Sequence, residues 1–149
     1  MRDMRYLARD IQALKKVYPD RPEDGGKRIF FDAKGDVICV NRVPLGVDGY
    51  TLNGRPIQEI TIMMILANDY PITLPGETHD PVFGLPQGLR FKGGKVGFHY
   101  HQSASGEFAK SNWVWLCLLF GQQRPAQRSL IQSVLLVVRR MQRFARTGR

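Results

Sequence analysis

Cysteine is scarce in this 149-residue chain, which contains only Cys39 and Cys117. The first residues lead into a helix, not into an apolar secretory region, and two thiols do not make a disulfide framework. We therefore expect reduced cysteines in a soluble, cytoplasmic protein. Cys39 lies in the apolar run 36–40, where it is expected to be an ordinary side chain of a strand.

Long apolar runs are absent as well. No stretch approaches the ~20 residues that cross a bilayer, so we expect no membrane partner. Internal repeats and low-complexity tracts are also missing. Hydrophobic residues make up 43% of the chain, which is enough for one core. We expect a single domain over residues 1–149, with a basic tail from about residue 145.

Acidic residues are too few to balance the basic ones. The chain has 13 Asp and Glu against 22 Lys and Arg, a net charge of +9. Such a charge favours anionic partners. No nucleic-acid motif accompanies it, and no aromatic residues are interleaved with the basic ones. Specific nucleic-acid binding is therefore not expected.

Apolar spacing predicts a helix near each end of the chain. The first begins at Met4 and is ended by Tyr18-Pro19. The second has its apolar stripe over residues 129–144, and Pro125 is suited to its first turn. Between them, residues 29–40 predict a hairpin, residues 56–66 a third strand and residues 89–91 a short fourth. The result is an α+β fold: an N-terminal helix, an antiparallel meander of about four strands and a C-terminal helix on one face.

The order of these motifs resembles the ubiquitin-conjugating enzyme family. The run Asp69-Tyr70-Pro71-Ile72-Thr73-Leu74-Pro75 is similar to the family's Tyr-Pro-x-x-Pro-Pro, and Leu116-Cys117-Leu118 is similar to the Ile-Cys-Leu around its nucleophile. The resemblance is greatest to the divergent bacterial conjugating enzymes and spans residues 4–144. It implies a ubiquitin-conjugating-like fold.

The resemblance also implies a function. Cys117 would carry a ubiquitin-like modifier as a thioester and pass it to an amine of a target protein, without a cofactor. An activating enzyme, a ubiquitin-like protein and a target protein would be the partners. The activating enzyme would dock on the basic face of the first helix, which carries Arg2, Arg5, Arg9, Lys15 and Lys16.

A thiol with an ordinary pKa of roughly 8.5 needs a neighbouring positive or hydrogen-bonding group to react at neutral pH. His99, His101 or Lys110 could supply it. We assign His101 or Asn112 as the oxyanion or orienting group and His99 as the second choice. The family's histidine-proline-asparagine is replaced here by His99-Tyr100-His101, so thioester formation is better supported than transfer to lysine.

Three other interpretations remain open. Cys117 can be a core residue, since free cysteine is often buried, and His99 and His101 can be strand residues on one face. A zinc site could draw on His79, His99, His101 and Cys117, but their spacing fits no closed motif and we expect no metal. The protein could also be a catalytically silent adaptor of the same fold that binds a ubiquitin-like protein or nucleic acid.

Overall fold

The computed structural model describes residues 3–24, 26–32, 36–78, 83–94, 100–101, 113–116 and 118–148, and in residues 100–101 and 113–116 it describes the backbone. Helix α1, Met4–Val17, begins after Asp3, whose carboxylate accepts hydrogen bonds from the amides of Arg5 and Tyr6 at 3.0 and 3.2 Å. The helix ends before Tyr18, as predicted. This N-cap satisfies two amide donors that would otherwise have no partner.

Strands form two antiparallel sheets. The larger sheet has six strands in the order β1-β2-β5-β6-β9-β8, and the smaller has three in the order β4-β3-β7. The bounds are β1 Ile29–Asp32, β2 Val37–Pro44, β3 Tyr50–Leu52, β4 Arg55–Pro56, β5 Glu59–Ile65, β6 Phe83–Pro86, β7 Leu89–Phe91, β8 Tyr100–His101 and β9 Trp113–Leu116.

The strand prediction is correct in part. The hairpin of β1 and β2 is confirmed, but the third predicted strand is divided into β4 and β5. The predicted strand over 89–91 is β7, which belongs to the smaller sheet and pairs with β3. The fourth strand of the larger sheet is β6, whose pattern in the sequence is weakened by Gly84 and Pro86. Pro86 pairs with Trp113 of β9 and lies beyond Phe83 and Gly84, the residues of β6 that pair with β5.

Helix α2, Leu130–Thr147, begins after Ser129, whose hydroxyl accepts a hydrogen bond from the Gln132 amide at 3.1 Å. Pro125 was predicted in the first turn of this helix, and that prediction is wrong. It begins a separate 3-10 helix, Pro125–Gln127. The helix also continues three residues beyond the predicted end at residue 144, and Gly148 ends it in a left-handed conformation. The predicted basic tail from about residue 145 is therefore mostly helical.

A hydrophobic core joins both helices to both sheets. α1 contributes Leu7 and Leu14, while α2 contributes Val134, Val137 and Met141, all at most 1% exposed. The smaller sheet is attached through buried Tyr50, whose hydroxyl donates to the Met141 carbonyl at 2.7 Å. The α+β architecture with an N-terminal helix, antiparallel strands and a C-terminal helix is confirmed.

Candidate functional site

The segment after β5 is fixed against α1. Tyr70 is fully buried and its hydroxyl donates to the carboxylate of Asp10. The Tyr70 carbonyl accepts a hydrogen bond from the Asp3 amide at 3.1 Å. The following peptide, Tyr70-Pro71, is cis. We call residues 70–77 the Tyr-Pro segment.

Asp10 links three parts of the chain. It lies on the buried side of α1, accepts from Tyr70 and also bonds to the backbone of Leu130 at the start of α2. Burial raises the pKa of its carboxyl, and the bonds from Tyr70 and Leu130 oppose that rise. Through Asp10, α1 is thus bonded both to Tyr70 of the Tyr-Pro segment and to the start of α2.

The chain that follows Cys117 packs on the Tyr-Pro segment. Leu118 is buried, and the Phe120 amide donates to the Gly76 carbonyl at 2.7 Å. The Phe120 ring meets the Phe83 ring edge to face, with centroids 5.8 Å apart. Gly76 has a φ of +90°, and a Cβ there would lie 2.7 Å from the Phe120 ring. Only glycine fits this close approach.

An ion pair strengthens this contact. The Glu77 carboxylate accepts from the amides of Leu74 and Gln123, both at 2.8 Å, and pairs with the guanidinium of Arg128. Arg128 also donates to the carbonyl of Pro71 at 2.8 Å. Burial alone would raise the pKa of Glu77, but Arg128 and the two amides outweigh it and the pKa is lowered. Residues 118–128 are therefore tied to the Tyr-Pro segment.

Two predicted site segments are neighbours in the larger sheet. His101 in β8 pairs with Trp115 in β9, and Tyr100 pairs with Leu116. Strand β9 leads directly to Cys117 in the sequence. The His-x-His segment therefore runs beside the strand that precedes the predicted nucleophile, as far as the described backbone extends.

Several predicted residues lie outside the described residues. Among the site residues these are Cys117, His99, Asn112, Lys110 and Arg2, together with His79 of the metal hypothesis. The other members of the predicted docking face are exposed on α1: Arg5, Arg9, Lys15 and Lys16.

Cys39 is a half-buried residue of β2, as predicted for an ordinary strand side chain. Its sulfur lies 3.7 Å from the Asn41 side-chain oxygen. Burial raises the pKa of the thiol to about 11. At neutral pH the group is therefore a thiol and a poor nucleophile.

Sequence reasoning missed Asp10, Glu77 and Arg128. Asp10 had a detectable signal, because it falls three residues after Leu7 and four before Leu14, within the apolar stripe of α1. A carboxylate at such a position requires a buried partner. Glu77 and Arg128 had no detectable signal in the sequence, since their pairing depends on the path of the chain between them.

Within the described ranges, no group of three or more His, Cys, Asp and Glu side chains could hold a metal ion. Among the same residues, no helix combines the length and apolarity that a membrane crossing needs. Comparison with protein-family models, curated proteins and solved structures found no match.

Proposed function

We propose that the protein carries a ubiquitin-like modifier as a thioester on Cys117 and passes it to an amine of a target protein, in the manner of divergent bacterial ubiquitin-conjugating enzymes. One observation supports this more than any other. The hydrogen bond from the Phe120 amide to the Gly76 carbonyl holds the chain after Cys117 against the Tyr-Pro segment. The two motifs that carry the resemblance are distant in sequence, and the hydrogen bond joins residues that follow them, Gly76 after the first motif and Phe120 after the second.

The pairing of β8 with β9 supports a role for a histidine. His101 lies opposite Trp115, two residues before Cys117 in the chain. We therefore keep His101 or Asn112 as the proposed orienting or oxyanion group and His99 as the second choice. The alternative nucleophile, Cys39, is disfavoured by its raised pKa.

The proposed reaction has two transfers. The Cys117 thiolate attacks the carbonyl carbon of the modifier's thioester on the activating enzyme, a new carbon–sulfur bond forms, and the activating enzyme's cysteine leaves as a thiolate. A neutral amine of the target then attacks the same carbon. A carbon–nitrogen bond forms, Cys117 leaves as a thiolate, and the amine's surplus proton passes to a nearby imidazole or to water. Both transfers pass through an oxyanion that hydrogen-bond donors must stabilise.

The proposed docking surface for the activating enzyme is the basic face of α1. Arg5, Arg9, Lys15 and Lys16 are exposed there, and an acidic groove would complement them. α1 is joined to the Tyr-Pro segment through the bond between Asp10 and Tyr70. A partner on this helix would therefore be placed in a fixed relation to the Tyr-Pro segment.

The test combines the purified protein with ATP and with the activating enzyme and ubiquitin-like protein encoded beside it. Products are separated on a gel without reductant. We expect an adduct of the modifier's size that reductant removes, that Cys117→Ala abolishes and that Cys39→Ala retains. Absence of the adduct, with the activating enzyme shown to be charged, would contradict the proposal and favour a silent adaptor.

A second measurement separates the enzyme from the adaptor without partners. In the Cys39→Ala variant, the remaining thiol is treated with iodoacetamide at pH 7.5. Rapid modification of the folded protein is expected of a nucleophile. A rate that increases only when the protein is unfolded in urea indicates a core residue, and the proposed reaction would then be excluded.

A further inference from the structure

A cleft of about 380 Å³ lies between residues 120–124 and one side of α2. Two half-buried apolar side chains, Phe120 and Leu136, line it together with two exposed arginines, Arg124 and Arg139. An apolar surface beside a few polar groups is typical of a recognition site.

Most polar groups of the cleft have no hydrogen-bond or ion-pair partner among the residues that the structure describes. Among the described residues, Arg124 and Arg139 have no acidic partner. Over the same part of the chain, the side-chain amides of Gln122, Gln127 and Gln132 make no hydrogen bond. In contrast, the Gln123 amide group, which also lines the cleft, bonds to Ser133 and to the Ser129 backbone. Five side chains therefore present donors, and three of them also acceptors, to a ligand.

The surrounding charge is positive. Residues 108–149 contain seven arginines and one lysine but neither Asp nor Glu. The carboxylate of Glu77, which bonds to the Gln123 amide beside the cleft, is already paired with Arg128. An acidic ligand would thus meet two guanidinium groups that have no acidic partner in the described part of the chain, and the residues that line the cleft include no carboxylate that would repel it.

We propose that this cleft binds an acidic segment of a protein partner, with Arg124 and Arg139 on its carboxylates and the glutamine amides on its peptide groups. Glutamine amides both donate and accept, as a peptide backbone requires. Nucleic acid is less suited, because the Phe120 ring is packed edge to face with Phe83 and is only half exposed, which makes it a poor stacking platform. The proposal concerns protein recognition and holds whether or not Cys117 carries a thioester.

The experiment measures binding of a fluorescein-labelled hexaglutamate peptide by fluorescence anisotropy in 150 mM NaCl. The double variant Arg124→Gln/Arg139→Gln is expected to weaken binding by about tenfold or more, since each guanidinium makes a charge-assisted contact. The matched control, Arg55→Gln/Arg90→Gln, removes the same charge from exposed positions of the smaller sheet and should change binding less than about twofold. Gln132→Glu, which adds repulsion inside the cleft, should also weaken binding by about tenfold.

Three results would overturn the proposal. The first is equal weakening by the cleft double variant and by the double variant of the smaller sheet, which would show attraction to net charge alone. The second is no binding of the peptide by the wild-type protein. The third is tighter binding of a single-stranded DNA hexamer that the cleft variant abolishes, which would assign the cleft to nucleic acid. Circular dichroism verifies that each variant is folded.

Discussion

Asp10 occupies a core position of α1, where an apolar side chain would ordinarily lie. Its pKa in the folded protein is raised above the ordinary 3.8 by burial. A group with a raised folded-state pKa contributes stability below its unfolded-state value and loses that contribution as the pH rises through the folded-state value. Ionised Asp10 therefore opposes folding at neutral pH, and the Tyr70 hydroxyl reduces that cost.

Tyr70→Phe should consequently be more harmful at high pH than at low pH. Without the hydroxyl, the ionised Asp10 loses a donor, and we expect a loss of about 2 kcal/mol in the free energy of unfolding at pH 8. At pH 5 more of the carboxyl is protonated and the loss should be smaller. Urea unfolding at the two pH values measures the difference. The control is Tyr6→Phe, whose hydroxyl donates to the neutral carbonyl of Arg128, so its effect should not vary with pH.

The Cys39 thiol should be almost inert in the folded protein. With a pKa of about 11, only about one thiol in a thousand is ionised at pH 8. In the Cys117→Ala variant, alkylation of Cys39 by iodoacetamide should be about a hundredfold slower than in urea, and it should accelerate about tenfold per pH unit above pH 8. Mass spectrometry follows the reaction. A rate that is equal in folded and unfolded protein would contradict the burial of this thiol.

At the scale of elements, the ion pair between Glu77 and Arg128 joins the Tyr-Pro segment to the chain before α2. Glu77→Gln leaves a mostly buried guanidinium without its counter-charge, and we expect a loss of about 3 kcal/mol in the free energy of unfolding at pH 7. The folded-state pKa of Glu77 is lowered from the ordinary 4.5. Its stabilisation is therefore present above that value and is lost as the pH falls through the lower folded-state pKa.

The difference in stability between the variant and the wild-type protein should accordingly decrease as the pH falls below 4.5. Denaturant titrations at pH 7 and pH 3.5 provide the comparison. Glu23→Gln is the matched control, since Glu23 is 63% exposed and lies 3.9 Å from Arg21. Its effect should stay within about 0.5 kcal/mol at either pH. A similar loss in both variants would show that the contact with Arg128 has no special importance.

At the scale of the whole molecule, the core should make the two sheets and two helices unfold together. Both tryptophans lie in β9, at one side of the larger sheet, whereas most of the helical signal comes from α1 and α2. Buried residues of both helices and both sheets belong to one cluster. We therefore expect coincident urea transitions by tryptophan fluorescence and far-ultraviolet circular dichroism. Separated midpoints would show that β9 unfolds independently of the helices.

Sequence patterns predicted the helices better than the sheets. The apolar stripes of α1 and α2 are local signals. α1 begins at Met4 as predicted, whereas α2 begins at Leu130, five residues after the Pro125 that was predicted for its first turn. Strand β6 was missed because glycine and proline weaken its pattern. Its place between β5 and β9 depends on pairing between distant segments, which no local pattern encodes.

The candidate site was predictable only as a set of motifs. The Tyr-Pro segment and the Leu-Cys-Leu run can be read directly from the sequence, and the His-x-His segment proved to adjoin β9. The contacts that hold these segments together, such as the bond from Phe120 to Gly76, arise from chain folding over long separations. The cleft beside α2 was not predicted, because its arginines and glutamines have no distinctive spacing in the sequence.

The contribution of α2 to the core has a consequence for biosynthesis. Leu130, Val134 and Met141 cover the same core that Leu7 and Leu14 enter from the first helix. At the usual 5–20 residues per second, the 82 residues from the end of β5 to the end of α2 take roughly 4–16 s to synthesise. Throughout that interval the nascent chain must keep the apolar side of its completed strands in water, where chaperones or neighbouring chains can reach it. Completion of the core therefore waits until α2 has left the ribosome.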